Sequence, residues 1–346
     1  MIVILTGAIK NTGDFLIADR SQKLISRHLE EDILEVNRFN DLKGYLEIIN
    51  ESKALFLCGG PAYSPDIFDG VYQISPIYDR IKVPIIPFGL GWYGKPFPEY
   101  QKFEFNAKSL DLLKKIHQKI PFSSCRDMIT HSILNDNGIG NVIMTGCPAW
   151  YDLNYLSAES NISREIRKVV ITTPANQKYL RSTLKLIRAI NKKFSDAEIY
   201  LSFHRGILPG LHTPPRRGLS YSLEALYGLI LGMNIKDTSG DLSKIDFYNE
   251  CDIHIGYRVH AHLHFLSQRR PSILLNEDGR GYAMAKTLDT PIFNGDDPGV
   301  VEDAIKYVSD CLESAFADFK TTFQKIDDFY ENNMKLFFEK IKPAIR

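Results

Sequence analysis

The stretch Asp252-Ile253-His254-Ile255-Gly256-Tyr257-Arg258-Val259-His260-Ala261-His262-Leu263-His264 decides how this chain reads. Asp252–Ile255 has the character of a short strand, Gly256 of a turn, and the residues from Arg258 of a helix start. That order puts a guanidinium (Arg258) and an imidazole (His260) where backbone N–H groups lack intrahelical partners and favour anions. Arginine adds a planar fork suited to carboxylate or phosphate, and histidine a proton donor usable near neutral pH. Acid–base handling of a small anion is the first functional expectation.

Outward from this stretch, apolar runs alternate with helical periodicity. Ile2–Thr6, Asp32–Val36, Ala54–Cys58, Val83–Phe88, Pro121–Ser123 and Val142–Met144 read as strands, with helices at Asp14–His28, Leu42–Ile49, Ala107–Ile116 and Arg126–Leu134. A polar break at Ser157–Asn161 reads as a linker. The rhythm then restarts with strands at Val169–Thr172, Glu198–Phe203, Asp252–Ile255 and Pro271–Leu275. Helices are expected at Tyr179–Ile190, Leu223–Leu231, Ile245–Asn249, Pro298–Phe316 and Phe319–Lys340. His204–Ser220, with His204, Arg205, His212, Arg216, Arg217 and tandem prolines, reads as a long loop, either a lid or binding loop or a solvated basic one. Such βα units predict an α/β protein with two doubly wound, Rossmann-like domains and a cleft between them. The expected domains are 1–155 and 163–317, with 318–346 a C-terminal helix crossing back onto the first.

The 346 residues exceed what one core usually supports, which agrees with two domains. Lys plus Arg and Asp plus Glu are both 42, a balance that speaks against nucleic-acid binding and against a polybasic membrane surface. It leaves room for a local basic pocket. Five widely spaced cysteines form no paired motif, so a reducing, cytoplasmic setting is expected. Met1–Leu5 is too short for a secretory signal, and no apolar run reaches the ~18 residues of a membrane span.

Ligands in doubly wound sheets bind beyond the carboxyl ends of the strands. The polar and glycine-rich segments fall there: Asn11–Asp14, Gly59–Pro61, Gly89–Gly91, Ser124–Asp127, Gly146–Pro148 and Gly256–His260. Asn11 or Asp14 is placed to hydrogen-bond a sugar hydroxyl, although an N-cap role for Asp14 explains it equally well. Gly59 and Gly60 permit either close backbone approach or simply a tight turn. Arg126 stands at a second helix start facing the cleft, beside Cys125, which reads as a small buried residue. His260 and His264 share a helix face, but neither a metalloprotease glutamate nor a third ligand accompanies them, and no metal is expected. His260 is assigned to the cleft, and His262 and His264 to packing. No dinucleotide or P-loop glycine pattern is present.

At these residues the chain resembles the polysaccharide pyruvyl transferase family. The resemblance rests on Asn11–Asp14, Gly59-Gly60-Pro61, Pro87–Gly91, Ser124–Asp127, Gly146-Cys147-Pro148, and above all Gly256-Tyr257-Arg258-Val259-His260 followed by Pro271-Ser272-Ile273. It implies the GT-B-like two-domain architecture and transfer of the enolpyruvyl unit of phosphoenolpyruvate onto two sugar hydroxyls as a pyruvate ketal. It assigns Arg126 and Arg258 to donor binding and His260 to catalysis, and adds Asn11, Asp14, Gly59, Gly60, Tyr257 and Glu277 as substrate-binding candidates. The second domain would take the donor and the first a glycan acceptor, carried on a lipid or nucleotide, with no cofactor beyond the donor substrate. Pro61 departs from the family's usual third glycine. Glu277, Asp278 and Lys286 are candidates for irregular acidic and lysine positions, and 204–220 matches no family segment. A nucleotide-sugar glycosyltransferase and a non-catalytic glycan-binding relative remain the alternatives.

Overall fold

The five residues of β1 (Ile2–Thr6) are all buried, as the central strand of a parallel sheet requires. The computed structural model describes residues 1–94, 102–160, 162, 165–210 and 213–345. β1 is followed by α1 (Thr12–Leu29), β2 (Ile33–Asn37), α2 (Leu46–Glu51), β3 (Leu55–Cys58), β4 (Pro61–Tyr63), β5 (Ile85–Phe88) and β6 (Gly91–Trp92). Then come α3 (Ala107–Gln118), β7 (Ser123–Cys125), α4 (Met128–Asp136) and β8 (Val142–Met144). The first sheet has the order β2-β1-β3-β5, all parallel. A bridge between Leu90 and Cys125 carries it on to the parallel pair β7-β8.

The second sheet contains β9 (Lys168–Thr172), β10 (Glu198–Phe203), β11 (Asn234–Asp237), β12 (Ile253–Gly256), β13 (Ser272–Asn276) and β14 (Phe293–Asn294). Its helices are α5 (Leu180–Lys193), α6 (Pro215–Ile230), α7 (Val259–Ser267), α8 (Gly279–Leu288) and α9 (Val300–Glu313). The order β11-β10-β9-β12-β13-β14, all parallel, reverses direction between β9 and β12. The first sheet reverses between β1 and β3. Crevices open at such reversals, beyond the strand ends. The architecture is thus α/β with two Rossmann-like domains in a GT-B-like arrangement, and the loops after β1, β3, β9 and β12 border the cleft.

Two further helices, α10 (Asp318–Phe329) and α11 (Lys335–Ile341), are joined by a π-helical turn at Tyr330–Met334. Phe337 stacks on Phe88 at 5.6 Å and Phe338 on His28 at 4.4 Å. Asn333 donates to the Met144 carbonyl at 2.8 Å. In the other direction α10 touches α7 and α8, and Arg269 pairs with Asp327. The segment therefore packs on both domains.

Three local expectations are corrected. The 204–220 loop is helical from Pro215, because Pro214 stands at the N-cap and Pro215 at the first helical position, where proline's missing N–H costs nothing. His212 lies outside the described residues. The strand β11 has one half-buried apolar residue and so no alternation to betray it. Helix α8 begins with Gly279 and Gly281, which suggest a turn, but both permit close packing. A Cβ on Gly279 would lie 2.4 Å from the Trp92 ring, and one on Gly281 2.2 Å from the Asn276 Oδ1. All five cysteines are free and buried. Among the described residues no helix is long and apolar enough to cross a membrane.

Buried histidines are a marked feature of this core. His254 bridges Thr172 and Ser272 at 2.7 Å each, and His262 shares Ser272 at 2.8 Å. His117 lies between the Leu113 carbonyl and Ser123. Burial pushes the imidazole pKa of His117 down to about 4, that of His262 and His264 to about 3, and those of His204 and His254 well below the ordinary value. The folded state keeps these rings neutral, whereas the unfolded chain protonates them near pH 6.5. Their contribution is complete above that pH and is lost on acidification, at up to ~1.4 kcal/mol per pH unit for each ring. Urea titrations between about pH 7.5 and about pH 5 should show a steep fall in midpoint, and a flat profile would refute the neutral-core assignment.

Candidate functional site

The site is built where the first turn of α1 meets the first turn of α7. Asn11 is the N-cap residue of α1, so Asp14, expected as a possible cap, instead lies within the first turn. Thr12 N–H donates to the His204 carbonyl at 3.2 Å, and its hydroxyl to the Thr238 carbonyl at 2.5 Å. These bonds tie the first domain's leading loop to the ends of β10 and β11. The approach is close enough to dictate a glycine, since a Cβ on Gly13 would lie 2.1 Å from Nδ1 of His260.

Arg126 precedes α4, and Asp127 is that helix's N-cap, accepting from Thr130 N–H at 2.7 Å. The same Asp127 carboxylate takes Arg126 Nε at 3.0 Å, while Arg126 Nη2 donates to the Trp92 carbonyl at 2.8 Å. Opposite, Arg258 is the N-cap residue of α7 and its side chain caps nothing. Its N–H donates to Thr172 Oγ1 at 3.1 Å, and its Nη2 to the Tyr221 hydroxyl at 2.7 Å and the Pro174 carbonyl at 3.4 Å. A Cβ on Gly256 would sit 2.6 Å from the Thr172 backbone, so only glycine lets β12 turn here. Arg258 is 6% exposed, and among the described residues no carboxylate pairs with it. A buried cation left that way costs several kcal/mol, which a bound anion would offset.

His260 lies in the first turn of α7, buried against Gly13. Its pKa is pushed down to about 3, first by burial and then by Arg280, Arg126 and Arg258, with Asp278 opposing. The free site therefore holds a neutral imidazole, which revises the expectation of a ready proton donor. A negatively charged ligand among these arginines would raise the pKa and make the ring an acid.

Next to these buried groups is a cavity of about 680 Å³, whose lining does not include Arg126, Arg258 or His260 themselves. The first domain lines it with Asn11, Asp14, Arg38, Pro61 and Tyr93, and the second with Arg205, Arg216, Arg217, Glu277, Asp278, Arg280 and the 175–177 loop. Five arginines thus face three acids. Glu277 accepts from Ala175 N–H at 2.7 Å and Asn176 N–H at 3.0 Å, so it shapes the loop after β9. Asp278 caps α8 and grips Arg280 through Nε at 3.0 Å and Nη2 at 2.6 Å. Burial raises the Asp14 carboxyl above its ordinary pKa, against the influence of Asn11, Arg38, Arg205 and Arg280.

The other candidates fall elsewhere. Tyr257 is 1% exposed, donates to Ser182 at 2.9 Å and stacks on Tyr179, so it packs the second domain rather than lining the cavity. Gly59 (φ +57°) faces Ile17, where a Cβ would come within 2.1 Å of Cγ2 and block α1. Gly60 (φ +80°) has open space around it. Lys286 is exposed, beside Tyr282. Sequence reasoning missed Arg280 and Arg38. Arg280 had a signal: a cation in the first turn of a helix opposes the macrodipole and calls for a reason. His262 and His264 bond Ser272 and Asn249. Among the described residues no three His, Cys, Asp or Glu side chains are grouped to hold a metal ion.

The Gly13–His260 contact is testable. Gly13→Ala should displace the imidazole, destabilise the fold by about 1–3 kcal/mol in thermal melts, and weaken ligand binding in the cleft. Unchanged melting and unchanged ligand affinity would mean that the helix shifts freely.

Comparison with known proteins bears on the fold and the family. The fold is similar to a Neisseria meningitidis UDP-GlcNAc 2-epimerase bound to UDP-GlcNAc, at 10% identity and TM-score 0.56, with 94% of each chain covered. It is also similar to the Methanocaldococcus jannaschii UDP-GlcNAc 2-epimerase, at 12% identity and TM-score 0.55, covering 94% of this chain and 98% of that one. The S. aureus MnaA–UDP complex matches at 12% identity and TM-score 0.56, covering 94% and 90%. At such identities the likeness establishes the fold alone. No curated protein matches the sequence. The sequence profile described as polysaccharide pyruvyl transferase matches residues 11–279, spanning the loops that meet at Gly13 and His260, and the chain belongs to that family.

Proposed function

We propose that the cleft binds phosphoenolpyruvate through Arg258, Arg126 and Arg280 and transfers its enolpyruvyl unit to two hydroxyls of a sugar. The observation that carries this reading is Arg258, buried, without a carboxylate partner among the described residues, and two residues before His260. A ligand with both a carboxylate and a phosphate matches several convergent guanidinium groups better than a singly charged one does.

In the reaction the donor's C3 gains a proton, C2 becomes oxocarbenium-like, and the first sugar hydroxyl adds to it. The C2–O bond to phosphate then breaks, and the second hydroxyl closes the ketal. Of the two hydroxyl protons released, the balance leaves one on carbon and one on phosphate. His260 is the acid in this scheme, with its proton supported by the donor's negative charge. Arginines that orient the anion also stabilise the charge that develops on the leaving phosphate. Asn11 and Asp14, on the opposite wall, are assigned to the acceptor hydroxyls.

The decisive experiment is a thermal-shift comparison of phosphoenolpyruvate with UDP-GlcNAc and UDP. Phosphoenolpyruvate should raise Tm and the nucleotides should not; the reverse result favours a nucleotide-sugar glycosyltransferase. Arg258→Ala should weaken phosphoenolpyruvate binding by about 10- to 100-fold in calorimetry. His260→Asn should retain donor binding and lose about 10²- to 10⁴-fold in turnover. Ring NMR should place the His260 pKa well below neutrality in the free protein and shift it upward with donor; no shift would remove the ring as acid.

A further inference from the structure

Outside the cleft, the helical layer over β9, β10 and β11 has an unusual surface. Every charge-free outward position of α6 is aliphatic over its last three turns: Leu219, Leu223, Leu226, Leu229 and Ile230 are 64, 46, 55, 58 and 72% exposed. The opposite face of the same helix buries Tyr221, Ala225 and Gly228. The outward residues are thus surplus to the core, and no described element of this chain covers them. Single exposed leucines mean little, but a contiguous stripe marks an interaction surface.

The neighbouring helix supplies the chemistry that identifies the partner. α5 packs between α6 and α9 and buries Thr183, Leu186, Ile187 and Ile190. Its outward face repeats at the same helical spacing and carries Arg181, Lys185, Arg188 and Lys192, all exposed. Of these four, only Lys185 has an ion-pair partner among the described residues, Glu302 of α9 at 3.1 Å. Neither α5 nor α6 presents an acid outward, since their single acidic residue, Glu224, is buried.

We propose that α5 and α6 form a docking face for an anionic lipid bilayer. The α6 leucines insert at the level of the headgroups, and the basic row of α5 lies against the lipid phosphates. Glu302 of α9 neutralises Lys185 on the side away from α6, and Arg181, Arg188 and Lys192 remain without an ion pair among the described residues. An aliphatic stripe flanked by such a basic row is the pattern that anionic membrane surfaces recruit. A second copy of the chain meets its own cations at this face, whereas anionic lipid neutralises them.

The placement relative to the cleft is consistent with use. Pro214, Arg216 and Arg217 at the start of α6, and Gln177 just before α5, line the cavity. Both helices therefore run away from the cleft rim, and docking along them sets that rim at the membrane surface, where a sugar on a lipid carrier would be presented. The surface assignment is independent of which donor the cleft takes.

Vesicle co-sedimentation of the full chain tests it without donor or acceptor. The protein should pellet with phosphatidylcholine vesicles containing about 30 mol% phosphatidylglycerol, and more than about tenfold less with phosphatidylcholine alone or at about 0.5 M NaCl. The variants L219Q/L223Q/L226Q and R181Q/K185Q/R188Q/K192Q should each lose more than about tenfold in vesicle binding with unchanged Tm. Absence of binding by the natural chain, or full binding by both variants, overturns the proposal. So does a concentration-dependent dimer in sedimentation velocity that the leucine variant abolishes, which would assign the stripe to a second copy. Loss of vesicle binding leaves the phosphoenolpyruvate thermal shift untouched, so the two readings fail separately.

Discussion

Positive charge at the positive ends of helices is the constraint on which the rest of this structure depends. Arg258 occupies the N-cap position of α7 without capping it, Arg280 stands in the first turn of α8, and Arg216 and Arg217 open α6. The macrodipole opposes each placement. Asp278 and Glu224 relieve two of them, Arg280 and Arg217, through direct ion pairs. Among the described residues the Arg258 guanidinium has only a phenol and a carbonyl. The fold tolerates this arrangement because both sheets reverse their strand order beside the same cleft, and their helices deliver N-termini to one place. Burial is the main reason His260 stays neutral, and the field of the nearby Arg280, Arg126 and Arg258 adds to it.

Close backbone approach makes that field possible. Gly13 lets α1 reach the imidazole, Gly91 lets β6 pass Arg126, with a hypothetical Cβ only 1.9 Å from Nε, and Gly256 lets β12 turn against Thr172. The bonds from Thr12 to His204 and Thr238 hold the two domains together at this point. These glycines are packing devices whose consequence is electrostatic.

Much of the fold could be read from the sequence because buried parallel strands are short apolar runs, and β8 and β10 have the bounds expected of them. The reading fails where the signal is something other than periodicity. The first half of α6, ahead of the expected Leu223–Leu231 helix, was hidden by prolines that open helices as well as break them, and α8 by glycines required by Trp92 and Asn276. In the site, Arg258 and His260 follow β12 at the Gly256 turn and Arg126 follows β7 directly, and both arginines act on His260. Arg38, after β2, and Arg280, beyond β13, reach the same cleft only through tertiary packing, and spacing says nothing of that. Net charge is silent about distribution: equal numbers of acids and bases weigh against a uniformly basic surface, and the bases of α5 lie on one face.

The C-terminal helices add a constraint of timing. Phe337 and Phe338 complete the aromatic cluster around Phe88 and His28 in the first domain. Ribosomes deliver these two rings only after both sheets have been made. The first domain thus emerges with an open apolar seam beside β5, and it waits through synthesis of the whole second domain for that seam to close. Contacts of such long sequence separation slow folding and extend exposure to misassembly. The two lobes, separable by sheet topology, form one unit for chaperones and for biogenesis.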